Sequence, residues 1–337
     1  MSERGVTRVR VILAAHGEAE TAGFAENFRV SHRTLKHAAE VMRLPAPLRL
    51  AICFLGALRK RISGAGGSAH NLNTRCQARA LEAALGEEDG IRYRVQAAFA
   101  SAPPYLEELV AVQRDAERQL VLSMIPTDSR LACGLVCHTL LNAPASVRQA
   151  TTVLARLWEA PDFIALQCEH IAAHFPQITR RGPCCLVLVM HGTVVRDERG
   201  AAPGFHTGAV EKDAYGRALS SRLMARSDRP WQRVEIAYLN HAVGGEWSSP
   251  TLPELLARLA AEGVHSAVAY ACEHLVDGGE TLGLPAVLAA SPVPETHQLP
   301  SLNTAAPFTD FLASRVRAAV VGSAPAAAVC DACPLLR

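Results

Sequence analysis

Twice in this chain a histidine and a glycine close an unbroken apolar run. His16-Gly17 follows Val11-Ile12-Leu13-Ala14-Ala15, and His191-Gly192 follows Leu186-Val187-Leu188-Val189-Met190. An imidazole is both a nitrogen base and a metal ligand near neutral pH. The glycine lets the main chain turn sharply and leaves the ring standing at the tip of the run. A third segment, Cys272-Glu273-His274-Leu275-Val276-Asp277-Gly278-Gly279-Glu280-Thr281-Leu282, sets three carboxylates and a histidine within eight residues. Proton removal and transient metal transfer need such a set: a nitrogen base, an acid to hold or pass the proton, and a hard oxygen ligand. The alternative is a solvated loop whose acids cap the next helix.

The elements that must position these residues follow from the pattern. A short, wholly apolar run reads as a buried parallel strand, and ligands of open α/β sheets gather at the carboxyl ends of such strands. Strands are expected over 8–14, 92–99, 119–125, 185–190, 233–239 and 265–271, with helices over 26–42, 74–85, 103–117, 146–159, 162–174, 211–225, 251–262 and 307–320. The alternation predicts an α/β protein of two similar Rossmann-like lobes, with parallel sheets around a central cleft. The lobes are expected at 1–145 and 181–322, joined by a helical crossover over 146–180 and followed by a cysteine-containing tail at 323–337. Thr251-Leu-Pro-Glu254 has the spacing of a capping box, a structural signal and not a chemical one.

Composition narrows the classes. At 337 residues the chain has room for two domains. Its 34 Lys and Arg against 32 Asp and Glu leave a formal charge of +2, without the clustered positive excess that nucleic-acid binding requires. No apolar stretch approaches the ~20 residues of a membrane span. The segment from Met1 leads directly into the first strand without a signal-peptide core, so a cytoplasmic protein is expected.

Ten cysteines in such a chain are expected to be reduced, buried or metal-bound, not paired. Cys184 and Cys185 begin a strand and read as core. Cys330 and Cys333, in Cys-Asp-Ala-Cys-Pro after an alanine-rich linker, have a spacing that can hold one metal or part of an iron–sulfur cluster. Cys133 and Cys137 are a candidate second pair. The other reading is a tail carrying two thiols.

Several of these segments together resemble the ferrochelatase family of the class II tetrapyrrole chelatases. The strand ending in His191 is similar to the family's strand ending in its active-site histidine. Tyr238-Leu-Asn-His-Ala-Val-Gly-Gly-Glu-Trp-Ser-Ser-Pro250 resembles its block with a glycine, a tryptophan and a proline. Asp277-Gly-Gly-Glu-Thr-Leu282 resembles Asp-x-x-Glu-Thr-Leu, and Leu302-Asn303 with Pro307-Phe308 resembles the entry to its final helix. Gly64-Ala-Gly-Gly-Ser-Ala-His-Asn-Leu-Asn-Thr74-Arg-Cys-Gln77 resembles its glycine-rich loop before a Thr-x-x-Gln helix.

The resemblance implies an enzyme, a lyase that inserts Fe(II), its substrate, into a porphyrin for haem synthesis without an organic cofactor. It implies His191 as proton acceptor or metal ligand and Glu280 as the partner acid across the cleft; His274, which shares the loop with Glu280, is a further candidate metal ligand. Gly64, Gly66 and Gly67 would let the main chain approach the macrocycle. Trp247 would pack the lobe, and Asp277 would orient its loop. Cys330 and Cys333 are similar to the iron–sulfur cysteines near the end of some ferrochelatases, which implies a [2Fe-2S] cluster completed by other cysteines. The expected partners are a porphyrin or related tetrapyrrole and a divalent metal, with a homodimer and peripheral membrane contact favoured by an apolar product.

The first half departs from the family. Its opening strand runs into His16-Gly17-Glu18 where the family has Asn-Leu-Gly-Gly-Pro, and Gly278 stands where many members carry histidine, with Glu273-His274 as the displaced counterpart. His16 is instead similar to the strand-end histidine of the smaller sirohydrochlorin chelatases, which adds it to the substrate-binding set. Two alternatives therefore stand: a chelatase for another tetrapyrrole or metal, and a non-catalytic homologue that binds haem, porphyrin or metal. His70, His138, His206 and His241 are further candidate ligands.

Overall fold

Val9, Val11, Ile12 and Leu13 are wholly shielded on strand β1 (Thr7–Ala15), as expected of a strand with neighbours on both edges and helices on both faces. The computed structural model describes residues 7–42, 44–64, 67–88, 90–112, 117–177, 182–241 and 245–322. They form two units, one of residues Met1–Arg156 with Thr304–Arg337 and one of Leu157–Asn303.

The first unit continues through α1 (Phe24–Met42), α2 (Ala46–Ser63), α3 (His70–Leu85), β2 (Glu87–Glu88), β3 (Ile91–Phe99), α4 (Leu106–Ala111), β4 (Glu117–Ser123), α5 (Cys133–Leu141), α6 (Ala145–Gln149) and β5 (Thr151–Leu154). Its sheet has the order β2-β3-β1-β4-β5 and is parallel except for the β2 edge. The helix expected over 146–159 is interrupted: only α6 and a 3-10 turn at Leu157–Glu159 form, so the crossover expected over 146–180 is not wholly helical. Thr151-Thr152-Val153 is β-branched and pairs instead with Gln119-Leu120-Val121 of β4, where branched side chains lose less rotamer freedom than in a helix.

The second unit holds α7 (Pro161–His174), β6 (Cys184–His191), β7 (Val194–Arg196), α8 (Ala209–Met224), β8 (Arg233–Leu239), β9 (Glu246–Trp247), α9 (Leu252–Ala261), β10 (Ser266–Ala271), α10 (Gly279–Ala289) and β11 (Glu295–Gln298). Its main sheet, β11-β10-β6-β8, is wholly parallel. The core between α9 and the sheet is Leu252, Leu255, Leu256 and Leu259 against Val187, Val189 and Ala269. The capping box is formed: Glu254 N–H donates to Thr251 Oγ1 at 3.4 Å, and Thr251 N–H donates to Glu254 Oε2 at 2.8 Å.

The last helix, α11 (Ala306–Val321), belongs to the first unit and not to the second lobe expected over 181–322. Helix ends leave carbonyls without partners, and two arginines close those of α3 and α11. Arg317 donates to Ala84 O at 2.9 Å, and Arg118 donates to Val320 O and Ala319 O at 2.8 and 2.9 Å. Among the described residues no helix is long and apolar enough to cross a membrane.

Candidate metal centre

Register decides which side chains meet in the second unit. His191 on β6 lies opposite Leu239 on β8, and Val189 lies opposite Ala271 on β10. The segments that leave these three strands therefore start from one sheet edge: His191-Gly192, Asn240-His241 and Cys272-Glu273-His274. Glu280, in the first turn of α10, comes back to the same edge.

Nε2 of His191 lies 3.2 Å from Nε2 of His241 and 3.4 Å from Oε1 of Glu280. The second carboxylate oxygen of Glu280 is 2.9 Å from Nε2 of His274. One donor atom each from His191, His241 and Glu280 falls within 4.8 Å of the others. Two imidazole nitrogens and a carboxylate oxygen at this separation suit a divalent transition metal. Both residues belong to one unit, and they come together because β6 and β10 are neighbouring strands.

The other nitrogen of His191 is held by the main chain. Nδ1 lies 2.6 Å from the carbonyl of Gly192, and only an N–H can face a carbonyl at that distance. The heavy-atom network thus fixes one proton on Nδ1, so Nε2 is the nitrogen that gains or loses the second proton, toward Glu280 and His241. Gly192 is required at this point, because a Cβ there would stand 1.8 Å from Asn240 Oδ1 and 3.0 Å from Leu239 O. The strand tip is also gripped from below. Oε2 of Glu273 accepts the His191 main-chain N–H at 3.0 Å and Lys212 Nζ at 2.6 Å, and both side chains of this ion pair are almost fully buried.

The charges favour an imidazolium–carboxylate pair. Burial opposes a charge on His191, but the hydrogen bond and charge of Glu280 outweigh it, and the pKa of His191 is raised. Its ring is 37% exposed, so solvent screens part of this effect. Burial likewise opposes the charge of Glu280, yet His191 and His274 hold its carboxyl well below the usual range. His241 moves the other way: burial and then the neighbouring His191 lower its pKa, keeping it neutral. Of the five histidines weighed as further ligands, His241 is the one brought to His191 together with Glu280, and its T-shaped contact with Trp247, ring centroids 5.4 Å apart, fixes its ring.

The remaining candidates lie elsewhere. Asp277 accepts from Ser301 N–H at 3.2 Å and Asn303 Nδ2 at 2.7 Å, which ties its loop down. In the first unit, His16 Nε2 is 3.3 Å from Thr34 Oγ1. Gly64 ends α2 in a left-handed conformation, φ 62°. The space beside Gly67 is taken by the main chain of Glu20, 1.8 Å from where a Cβ would sit, so this glycine seats the loop on its own unit. Gly66 lies outside the described residues, as do Cys330 and Cys333. His70 begins α3, His138 lies on α5, and His206 pairs with Glu211 at 3.2 Å. Cys137 is wholly buried with Ile12 and Val136, which removes it from any exposed ligand pair with Cys133. Burial pushes the thiols of Cys184 and Cys185 up to about 11 and about 12, as befits core residues.

A family model described as Ferrochelatase matches residues 8–320. No curated protein matches the sequence. Among solved structures, the chain is similar to one described as SirB from Bacillus subtilis with Fe3+, with a TM-score of 0.51 over 92% of this chain and 95% of that one. At 12% identity this likeness is one of fold.

Proposed function

The chain belongs to the ferrochelatase family and is by that class a tetrapyrrole metal chelatase, and from this we propose that it inserts Fe(II) into a porphyrin during haem synthesis in the cytoplasm. The observation that carries the reading is the meeting of His191, His241 and Glu280 at one sheet edge. A divalent metal, the substrate, would be received by Nε2 of the two histidines and a carboxylate oxygen of Glu280.

Insertion exchanges two pyrrole N–H protons for one metal dication. His191 suits the role of proton acceptor, since its Nδ1–H is engaged by Gly192 O and its Nε2 lone pair is free of the main chain. Glu280 stabilises the imidazolium formed, and His274 on the second carboxylate oxygen offers the next station for the proton. In the first unit, His16 and the loop around Gly64, Gly66 and Gly67 are assigned to the macrocycle, with Gly67 seating that loop. A homodimer, and a cluster through Cys330 and Cys333, belong to the same reading.

One feature favours a second reading. His16-Gly17 stands where the family has Asn-Leu-Gly-Gly-Pro, and a strand-end histidine there suits another tetrapyrrole of the sirohydrochlorin type, or another metal. The test is anaerobic insertion of Fe(II), Co(II) and Zn(II) into protoporphyrin, coproporphyrin and sirohydrochlorin, followed by loss of the free-base spectrum. Iron insertion into a porphyrin supports the first reading, and turnover only with sirohydrochlorin selects the second. Binding without turnover refutes both and leaves a non-catalytic homologue.

A further inference from the structure

Among the described residues two that are not glycine take a left-handed backbone, Arg156 with φ 59° and Asn303 with φ 46°. They stand at the two points where the chain passes between units: Leu157 opens the second unit after Arg156, and Asn303 closes it. A Cβ is disfavoured in this region, so glycine is the default there and asparagine is among the residues that tolerate it best. Glycine would serve the turn at 303 as well. What asparagine adds is its amide, and both ends of that amide are in use.

Asp277 N–H donates to Asn303 Oδ1 at 2.9 Å, and Asn303 Nδ2 donates to Asp277 Oδ2 at 2.7 Å. A main-chain N–H can only donate and a carboxylate can only accept, so the amide has one orientation. The Asn303 main-chain N–H adds a third bond, to Leu275 O at 2.9 Å. The segment before it is anchored in turn. Leu299 N–H donates to Ala269 O of β10 at 2.8 Å, His170 Nε2 lies 2.9 Å from Pro300 O, and Ser301 N–H takes the other oxygen of Asp277 at 3.2 Å. Leu299, Ser301 and Leu302 are buried. Asn303 therefore grips from a fixed support.

What it grips lies between His274 and Glu280. Gly278 follows Asp277 directly and opens α10, with its N–H on Thr281 Oγ1 at 2.8 Å, and Glu280 sits in the first turn of that helix. The Glu280 carboxylate is divided, Oε1 toward His191 at 3.4 Å and Oε2 toward His274 at 2.9 Å. A carboxylate shared in this way tolerates little movement of the backbone that carries it, because functional groups keep their geometry only when the surrounding bonds lock them. We propose that Asn303 is a positioning residue of the metal centre: by clamping Asp277 it fixes the start of α10 and so divides Glu280 between His191 and His274. The proposal rests on the reading of these residues as a metal centre and is indifferent to which tetrapyrrole is the substrate.

The test is anaerobic Co(II) titration of the full-length protein, read from the visible ligand-field bands. Asn303→Asp keeps the shape, the tolerance of a left-handed backbone and the acceptor for Asp277 N–H, but it sets one carboxylate against another. Co(II) affinity should fall about tenfold or more, as on loss of a group that orients metal ligands, and the bands should change. Asn303→Gly keeps the backbone and removes the clamp, and should weaken binding as well. The exchange Asp277→Asn/Asn303→Asp should restore both affinity and bands, since the amide now at 277 can donate to the carboxylate now at 303 while its oxygen still accepts from Ser301. Folded variants with a lowered melting temperature but wild-type bands and affinity would make Asn303 merely structural and overturn the proposal. So would an exchange variant no better than Asn303→Asp. Wild-type protein without Co(II) bands would instead overturn the metal-centre reading, and this inference with it.

Discussion

Glu273 holds His191 by its main chain and not by its ring: the same carboxylate oxygen takes the His191 N–H at 3.0 Å and Lys212 Nζ at 2.6 Å. Because the ion pair is buried, removing one partner leaves an uncompensated charge, whereas removing both does not. Glu273→Gln keeps an acceptor for the N–H but strands Lys212, and a loss of about 3–5 kcal/mol is expected in urea unfolding. The double variant Lys212→Met/Glu273→Gln should recover most of it. A double variant no more stable than Glu273→Gln would show that the pair does not act as a unit.

His241 is expected to behave as a ligand and not as packing. His241→Ala should weaken anaerobic Co(II) binding, read from the visible ligand-field bands, by at least the ~10–100-fold typical of losing a supporting group around a metal. The melting temperature should change little, since much of the residue stays exposed even though His191 and Trp247 shield its ring. His191→Ala should abolish insertion as well. Unchanged Co(II) affinity without His241 would remove it from the ligand set.

The pH dependence follows from the sign of two shifts. Glu280 raises the pKa of His191, so the ring should titrate in NMR above the ordinary imidazole value of about 6.5. Glu280→Gln should move that midpoint down. A metal must displace the proton from Nε2, so metal affinity should climb as the pH passes upward through the raised pKa and level off above it. Equal midpoints in the two proteins would show that Glu280 does not set the charge of His191.

Gly192→Ala forces a Cβ into Asn240, whose Nδ2 is itself bonded to Ser248 O at 2.7 Å. Overpacking of this kind costs about 1–3 kcal/mol, and here it also moves the carbonyl that fixes the His191 tautomer. Thermal unfolding should register the loss, and Co(II) affinity should fall with it. A variant with wild-type affinity would separate the tautomer from metal binding.

The strands that carry the centre were readable because five apolar residues in a row, ending in His-Gly, have few other solutions. Glu280 was legible from the carboxylates grouped behind β10. That it lies beside His191 depends on the adjacency of β6 and β10, which no local pattern encodes. The approach of His241 likewise rests on the register of β8, and Lys212 looks like any surface lysine of a helix until its burial is known. Helix α2 is hard to read in sequence because its buried face carries only the small Cys53 and Ala57, so no stripe of large apolar residues marks an inward side. At 151–154, branched residues following a short helix pair with β4, a long-range choice invisible in sequence.

The route of α11 has a consequence for how the protein is made. The second unit is contiguous in the chain, whereas the first is split around it and receives α11 only after the whole second unit has been translated. On a ribosome adding about 5–20 residues per second, the second unit can close while the carbonyls of Ala84 and Leu85 still await Arg317. The half of the molecule synthesised first is therefore the half completed last, and the nascent chain can bring His191, His241 and Glu280 together before its opening sheet has received α11.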